Sequence, residues 1–155
     1  RRLRQQQYVE YDRSHHHYFT CQQTERKVST FLSLAPTEMS KEMYDDGYSN
    51  LKNLDFSEVV IAQMSQYEPQ MIWEVMDVTD LKYANGSFDA VVAKGTLDAV
   101  LCSGLGDQKR MMEEIYRVLS DKGMLIAVSF GLPEKRRQMF DEPNLRWHTK
   151  VHTVP

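Results

Sequence analysis

Apolar residues recur along this chain with two different periods. Short runs that are apolar on both faces alternate with longer runs at helical spacing. The clearest short run is Phe88-Asp89-Ala90-Val91-Val92-Ala93. It follows the turn pair Asn85-Gly86, breaks at Lys94-Gly95-Thr96 and resumes as the helix-like Leu97-Asp98-Ala99-Val100-Leu101. Strands of a parallel sheet, buried on both sides, read this way. Upstream, Val28 to Leu34 predicts a first strand, broken by Ala35-Pro36-Thr37. Thr37 or Ser40 is placed to cap a helix with Met39, Met43 and Tyr44 on its apolar face, and Gly47 to end it in a left-handed turn. Leu51 to Phe56 predicts a second strand. Ser57 then caps a helix from Glu58 to Tyr67, with Val59, Val60, Ala62 and Met64 as its apolar surface and Pro69 barring continuation. Met71 to Met76 predicts the third strand and Phe88 to Ala93 the fourth. Asp107 caps a helix carrying Met111, Met112, Ile115, Val118 and Leu119, closed by Gly123. Met124 to Phe130 predicts the fifth strand, Glu134 to Phe140 a short basic helix, and Leu145 to Val154 a last strand.

This alternation predicts a Rossmann-like α/β domain: a doubly wound, mostly parallel sheet with helices on both faces. Its 155 residues are enough for one core. Residues 28–155 form that domain, preceded by a basic, aromatic lead-in over residues 1–27. The net charge of −3 hides a gradient. Residues 1–27 carry six Lys/Arg against three acids, residues 134–155 five against three, and residues 28–133 eight against sixteen. An acidic centre suits a cationic ligand or simply a solvated surface, and the modest basic ends carry no nucleic-acid motif. Cys21 and Cys102 are too few for a disulfide framework, which points to a reduced, cytoplasmic setting. No run reaches the roughly 18 apolar residues of a membrane span, and the polar, basic start does not read as a signal peptide. The adjacent His15-His16-His17 cannot all face one ion from a helix or strand, so no metal is expected.

Candidate chemistry gathers where strands end. In open α/β sheets, ligands bind beyond the carboxyl ends of the strands. Asp55 follows the second strand, where a carboxylate can accept two ribose hydroxyls, and Asp77 follows the third, suited to an adenine amino group. The competing reading makes each a turn or cap acid. Lys94 leaves the fourth strand toward the site or toward solvent, and Asp98 is either substrate-orienting or a helix cap.

These residues resemble the class I S-adenosylmethionine-dependent methyltransferases. More narrowly, they are similar to the family that includes methyltransferase-like protein 13 and the lysine methyltransferases of translation elongation factor 1-alpha. The likeness is carried by Met43-Tyr44-Asp45-Asp46-Gly47-Tyr48, by Asn53 to Ile61, by Met76-Asp77-Val78-Thr79-Asp80, and most specifically by Ser87-Phe88-Asp89 through Lys94-Gly95-Thr96-Leu97-Asp98 to Leu101. The resemblance implies that S-adenosyl-L-methionine is the cofactor. Asp55 would hold its ribose beside Phe56, and Asp77 with the Val78 backbone would read its adenine. Lys94 would line the methionine end, and Ser33 and Ala35 fall in the loop that meets the cofactor. Tyr8 and Tyr11, or Tyr18, would match aromatics that close over it. The run Lys94, Gly95, Thr96, Leu97 and Asp98 would support transfer to a protein lysine, with a translation elongation factor as the implied partner.

The chain departs from the family twice. Ser33-Leu34-Ala35-Pro36-Thr37 stands where the family has a glycine-rich loop, which admits positive φ and a close backbone approach. The family also closes its sheet with an antiparallel hairpin whose second strand inserts between two others. Leu145 to Val154 supplies only its first strand, so the C-terminal antiparallel part is expected to be incomplete. The lost glycines leave a catalytically inactive binding or scaffold module as the rival reading. A nicotinamide-dependent oxidoreductase would need a Gly-x-Gly-x-x-Gly fingerprint, which is missing.

Overall fold

The structure, a computed structural model, describes residues 17–20, 30–35, 38–104, 106–140, 144–145 and 149–153. Its strands are β1 (His17–Thr20), β2 (Phe31–Leu34), β3 (Leu51–Asp55), β4 (Ile72–Val75), β5 (Phe88–Lys94), β6 (Leu119–Ser129) and β7 (Lys150–Thr153). Its helices are α1 (Glu38–Asp45), α2 (Glu58–Tyr67), α3 (Thr96–Cys102), α4 (Gln108–Val118) and α5 (Pro133–Arg137). The strands form one sheet in the order β4-β3-β2-β5-β6-β1-β7. The five strands from β4 to β6 are parallel, with Phe31 paired to Leu51 on one side and to Ala90 on the other. The doubly wound reading holds.

The sheet is buried because both faces are covered. Leu32, Leu34, Leu54, Val91, Ala93, Leu125 and Ala127 pack against Leu97 of α3 and Met111, Met112, Ile115 and Val118 of α4. Phe31, Leu51, Met71 and Ala90 face the other way, against Met43 and Tyr44 of α1 and against Trp73. Capping follows the sequence at two helices. Ser57 Oγ accepts from Val60 N at 3.3 Å, and Gly47 takes φ +98° beyond α1. Asp107 sits at the N-cap of α4 without a side-chain cap bond. Ser40 lies inside α1, and Thr37 falls outside the described residues. In α2 the buried residue is Ile61, while Val59 is 66% exposed. The reason is that α2 packs on the outer strands β3 and β4, which need only a narrow apolar stripe.

Gly123 does not close α4. That helix ends at Val118, and β6 begins at once. Leu119 pairs with Phe88 and Met124 with Ala90, so five steps along β6 oppose two along β5. This bulge folds tightly: a Cβ on Gly123 would lie 2.9 Å from Leu119 and 3.0 Å from the Ser120 backbone. Arg117 and Glu114 tie α4 to the loop before β5. Arg117 donates to the carbonyls of Leu81 (2.8 Å) and Tyr83 (2.7 Å), and Glu114 accepts from Leu81 N (2.8 Å).

The expected gap at the C-terminal edge is filled. β1 runs antiparallel to β6 (Tyr18 opposite Val128) and antiparallel to β7 (Tyr18 opposite His152). The strand between β6 and β7 therefore comes from the N-terminal segment, which sequence pattern alone placed as a lead-in. A four-residue strand of mixed polarity has no periodic signal of its own, and only non-local pairing defines it.

Among the described residues, β7 reaches the sheet through β1. A Tyr18→Pro substitution removes one ladder donor from a strand flanked on both sides. We expect amides of Lys150–Thr153 to lose protection from hydrogen exchange in that variant while those of β2 and β5 keep theirs.

Candidate functional site

The five parallel strands end on one edge, at Leu34, Asp55, Val75, Lys94 and Ser129. Strand order reverses between β2 and β5: β3 and β4 lie to one side of β2, β5 and β6 to the other. A crevice opens at such a switch point because the two connections leave over opposite faces. Here α1 follows β2 on one face and α3 follows β5 on the other.

The backbone lining that crevice is unusual. Ala35, just after β2, has φ +71°, and it is the non-glycine residue with positive φ among those described. Its N–H donates to Leu54 O at 3.0 Å. Holding an alanine there costs about 1–2 kcal/mol, and such strain persists where the surroundings impose it. The loop thus keeps a left-handed turn without a glycine at that position. Gly95, just after β5, has φ +74° and donates to Val128 O at 2.9 Å. A Cβ on Gly95 would meet nothing within 4 Å, so the dihedral and not the space calls for glycine. Thr96 Oγ1 donates to Leu34 O at 2.9 Å and stitches α3 to the end of β2.

The two strand-end acids are half-committed. Asp55 Oδ1 accepts from Ser57 N at 2.8 Å. Asp77 Oδ1 accepts from Thr79 N and from Thr79 Oγ1, both at 2.8 Å. Each acid builds its own turn with one oxygen. Among the described residues the Oδ2 atoms make no hydrogen bond, and a carboxylate oxygen has acceptor capacity to spare. Phe56, 80% exposed, stands next to Asp55, and the exposed Val75 precedes Asp77 by two residues. Val78 buries its side chain in the core. These features fit a ligand with hydroxyls and a flat apolar ring.

The other sequence-chosen residues divide. Lys94 is exposed at the end of β5. Leu97 is fully buried in the core. Ser33 is buried and its hydroxyl accepts from Ser40 Oγ at 2.9 Å, beneath α1. Tyr8 and Tyr11 lie outside the described residues, as do Pro36 and Thr37. Asp98 is neither solvent-facing nor a helix cap. Its Oδ1 accepts from Ser129 Oγ (2.7 Å) and Arg136 Nη2 (2.6 Å), and its Oδ2 from Phe130 N (3.1 Å). Burial pushes its pKa up. The hydrogen bonds from Ser129, Arg136 and the Phe130 amide, with the Arg136 charge, outweigh that and hold it below the ordinary carboxylate value. Sequence reasoning passed over Ser129 and Arg136; the signal available was Gly131, a glycine just past a strand end.

Three outcomes follow from this geometry. Gly95→Ala is expected to lose about 1–2 kcal/mol, and Ala35→Gly to gain up to about 1 kcal/mol, as urea-unfolding midpoints would read. The Asp98 carboxylate has a lowered folded pKa, so its stabilisation is present above the unfolded value near 3.9 and is lost as pH falls through the folded one. The stability gap between the native chain and Asp98→Asn is expected to be full at pH 7 and to narrow below about pH 4.

Residues 34–127 match the family model described as a methyltransferase domain. The chain is 38% identical over 140 residues to the human eEF1A lysine and N-terminal methyltransferase, covering 83% of this chain and 20% of that protein. It is 30% identical over 136 residues to EEF1A lysine methyltransferase 4 of Mus musculus, covering 79% of this chain and 53% of that one. The chain thus spans about a fifth and about half of these two relatives. Among solved structures, an S-adenosylmethionine-dependent methyltransferase from Methanosarcina mazei superposes with a TM-score of 0.62 at 20% identity, over 74% of this chain and 58% of that one. A TehB-like methyltransferase from Corynebacterium glutamicum gives 0.56 at 17% identity, over 66% and 55%. These structures show the same fold. With its parallel sheet, its switch-point crevice and the match over more than half its length, the chain belongs to the class I S-adenosylmethionine-dependent methyltransferase family.

Proposed function

We propose that this chain forms the cofactor-binding part of a protein methyltransferase that methylates a lysine of a translation elongation factor of the eEF1A kind. The observation that carries it is the pair of half-committed carboxylates, Asp55 and Asp77, at the ends of adjacent strands beside the switch point. The names of the relatives supply the acceptor class.

When bound, S-adenosyl-L-methionine supplies a methyl group on a sulfonium centre, open to in-line displacement by a neutral amine. The chain's own residues bind, orient and desolvate. Asp55 accepts from ribose hydroxyls through the oxygen its turn leaves over, with Phe56 alongside. Asp77 and the Val78 backbone read the adenine edge. Ala35 presents backbone in the left-handed turn that brings it near the methionine end, and Lys94 stands across from it at the end of β5. Thr96 ties the two walls of the crevice together through Leu34 O, and Gly95 fixes the β5 wall against β6 through Val128 O. Tyr8 and Tyr11 are assigned the cover over the cofactor. The acceptor lysine must arrive unprotonated, which a site of low polarity favours. Alignment then contributes most of the acceleration.

Titration calorimetry with S-adenosylmethionine and S-adenosylhomocysteine tests the pocket. Micromolar binding is expected. Asp55→Ala and Asp77→Ala should weaken it about tenfold to a hundredfold, the value of a charge-assisted hydrogen bond. Asp77→Asn retains an oxygen for Thr79 and so separates a lost ligand contact from a lost turn. Absence of heat at about 100 μM protein would remove the cofactor reading. Cofactor binding without a mass gain on recombinant eEF1A would leave a binding module in its place.

A further inference from the structure

Arg136, on α5, lies outside every motif that pointed to the site, yet it anchors the loop that follows β6. Its Nε donates to Ser129 Oγ at 2.7 Å and its Nη2 to Asp98 Oδ1 at 2.6 Å. Ser129 is fully buried, donates to the same Asp98 oxygen and accepts from Gly131 N at 3.1 Å. Asp98 Oδ2 takes the Phe130 amide. The Asp98 and Arg136 side chains are only 20% and 15% exposed. A Cβ on Gly131 would stand 2.2 Å from the guanidinium carbon of Arg136. The guanidinium therefore rests against the backbone at 131, and glycine is the residue that admits it.

The place of this network decides its use. Val128 pairs with Lys94, and Val128 O accepts the Gly95 amide, so the loop over residues 130–132 begins directly beside the end of β5. Asp55 and Asp77 hold their ligand on the β3–β4 side of the switch point. The β5–β6 side is left for the acceptor. On that side Leu132 is 59% exposed on a loop pinned by Asp98 of α3 and Ser129 of β6, both of which Arg136 of α5 holds. A charge-assisted anchor of this kind holds a wall in one geometry, which is what a binding surface requires of its supporting groups.

We propose that Arg136 is a positioning residue for the acceptor. Through Ser129 and Asp98 it fixes residues 130–132 as the wall on which the aliphatic stem of the acceptor lysine and its polypeptide rest. This deepens the proposed reading and rests on it. Asp98, on this view, acts on the wall and not on the lysine's charge.

The test uses the whole chain with S-adenosylmethionine and recombinant eEF1A. Arg136→Gln is expected to raise the acceptor KM about tenfold while the calorimetric Kd for S-adenosylmethionine stays within about twofold. Gly131→Ala should reproduce this by pushing the guanidinium away, and Arg136→Lys, which keeps a charge but cannot bond both partners, should fall between. Independently of activity, the Phe130 and Gly131 amides should exchange faster in Arg136→Gln. An unchanged acceptor KM with faster amide exchange would overturn the proposal and leave a structural anchor only. Unchanged exchange would overturn the anchoring itself. A native chain that binds no S-adenosylmethionine would sink the functional reading, and this inference with it; a native chain that binds and methylates, with variants of normal KM, sinks this inference alone.

Discussion

The pairing of β2 with β5 is the constraint on which the rest of the molecule depends. Both strands are buried along most of their length, and they pair in parallel from Phe31 opposite Ala90 to Leu34 opposite Ala93. Because the chain leaves β2 toward one side of the sheet and returns to β5 on the other, the two following helices must cover opposite faces. Their departure opens the crevice. The bond from Thr96 to Leu34 crosses it, and the bond from Gly95 to Val128 ties its β5 wall to β6. Among the described residues, those assigned to the ligand or the acceptor are positioned relative to this one seam.

Around the seam, the side chains proposed to bind are also ones that shape the fold. Asp55 and Asp77 each close a turn with one oxygen, which orients the carboxylate before any ligand arrives. Such preorganisation lowers the ordering cost of binding. The structural and functional readings of these acids are therefore not rivals. Ala35 shows the same economy in the backbone. The chain lacks the glycine that would adopt φ +71° freely, yet the Ala35 amide is drawn to Leu54 O and the turn is kept at a cost in strain.

Charge-assisted contacts secure what the apolar core cannot reach. Arg117 and Glu114 hold the loop leading into β5, and Arg136 with Asp98 holds the loop leaving β6. Both clusters are partly buried and multiply bonded, the arrangement in which an ion pair is worth more than a solvent-exposed one. The two arginines thus brace the loops on either side of the β5–β6 pair.

Local pattern by itself determined the parallel core. The strand runs at Leu51, Met71 and Phe88 and the helices after Ser57 and Asp107 are legible because burial on two faces or on one stripe writes a period into the sequence. Asp55, Asp77 and the Lys94–Asp98 run were visible too, since strand ends can be counted along a chain. Only the tertiary structure decided what those side chains touch. It turned Ser33 under α1, sank Leu97 into the core and paired Asp98 with Arg136, 38 residues away. It also drew β1 from the N-terminal segment into the slot beside β6 and began β6 at Leu119 through a bulge. The physical reason is common to all of these. Periodicity reports how much water a residue avoids, whereas a partner distant in sequence is chosen by hydrogen bonding and charge once the sheet has brought the two together.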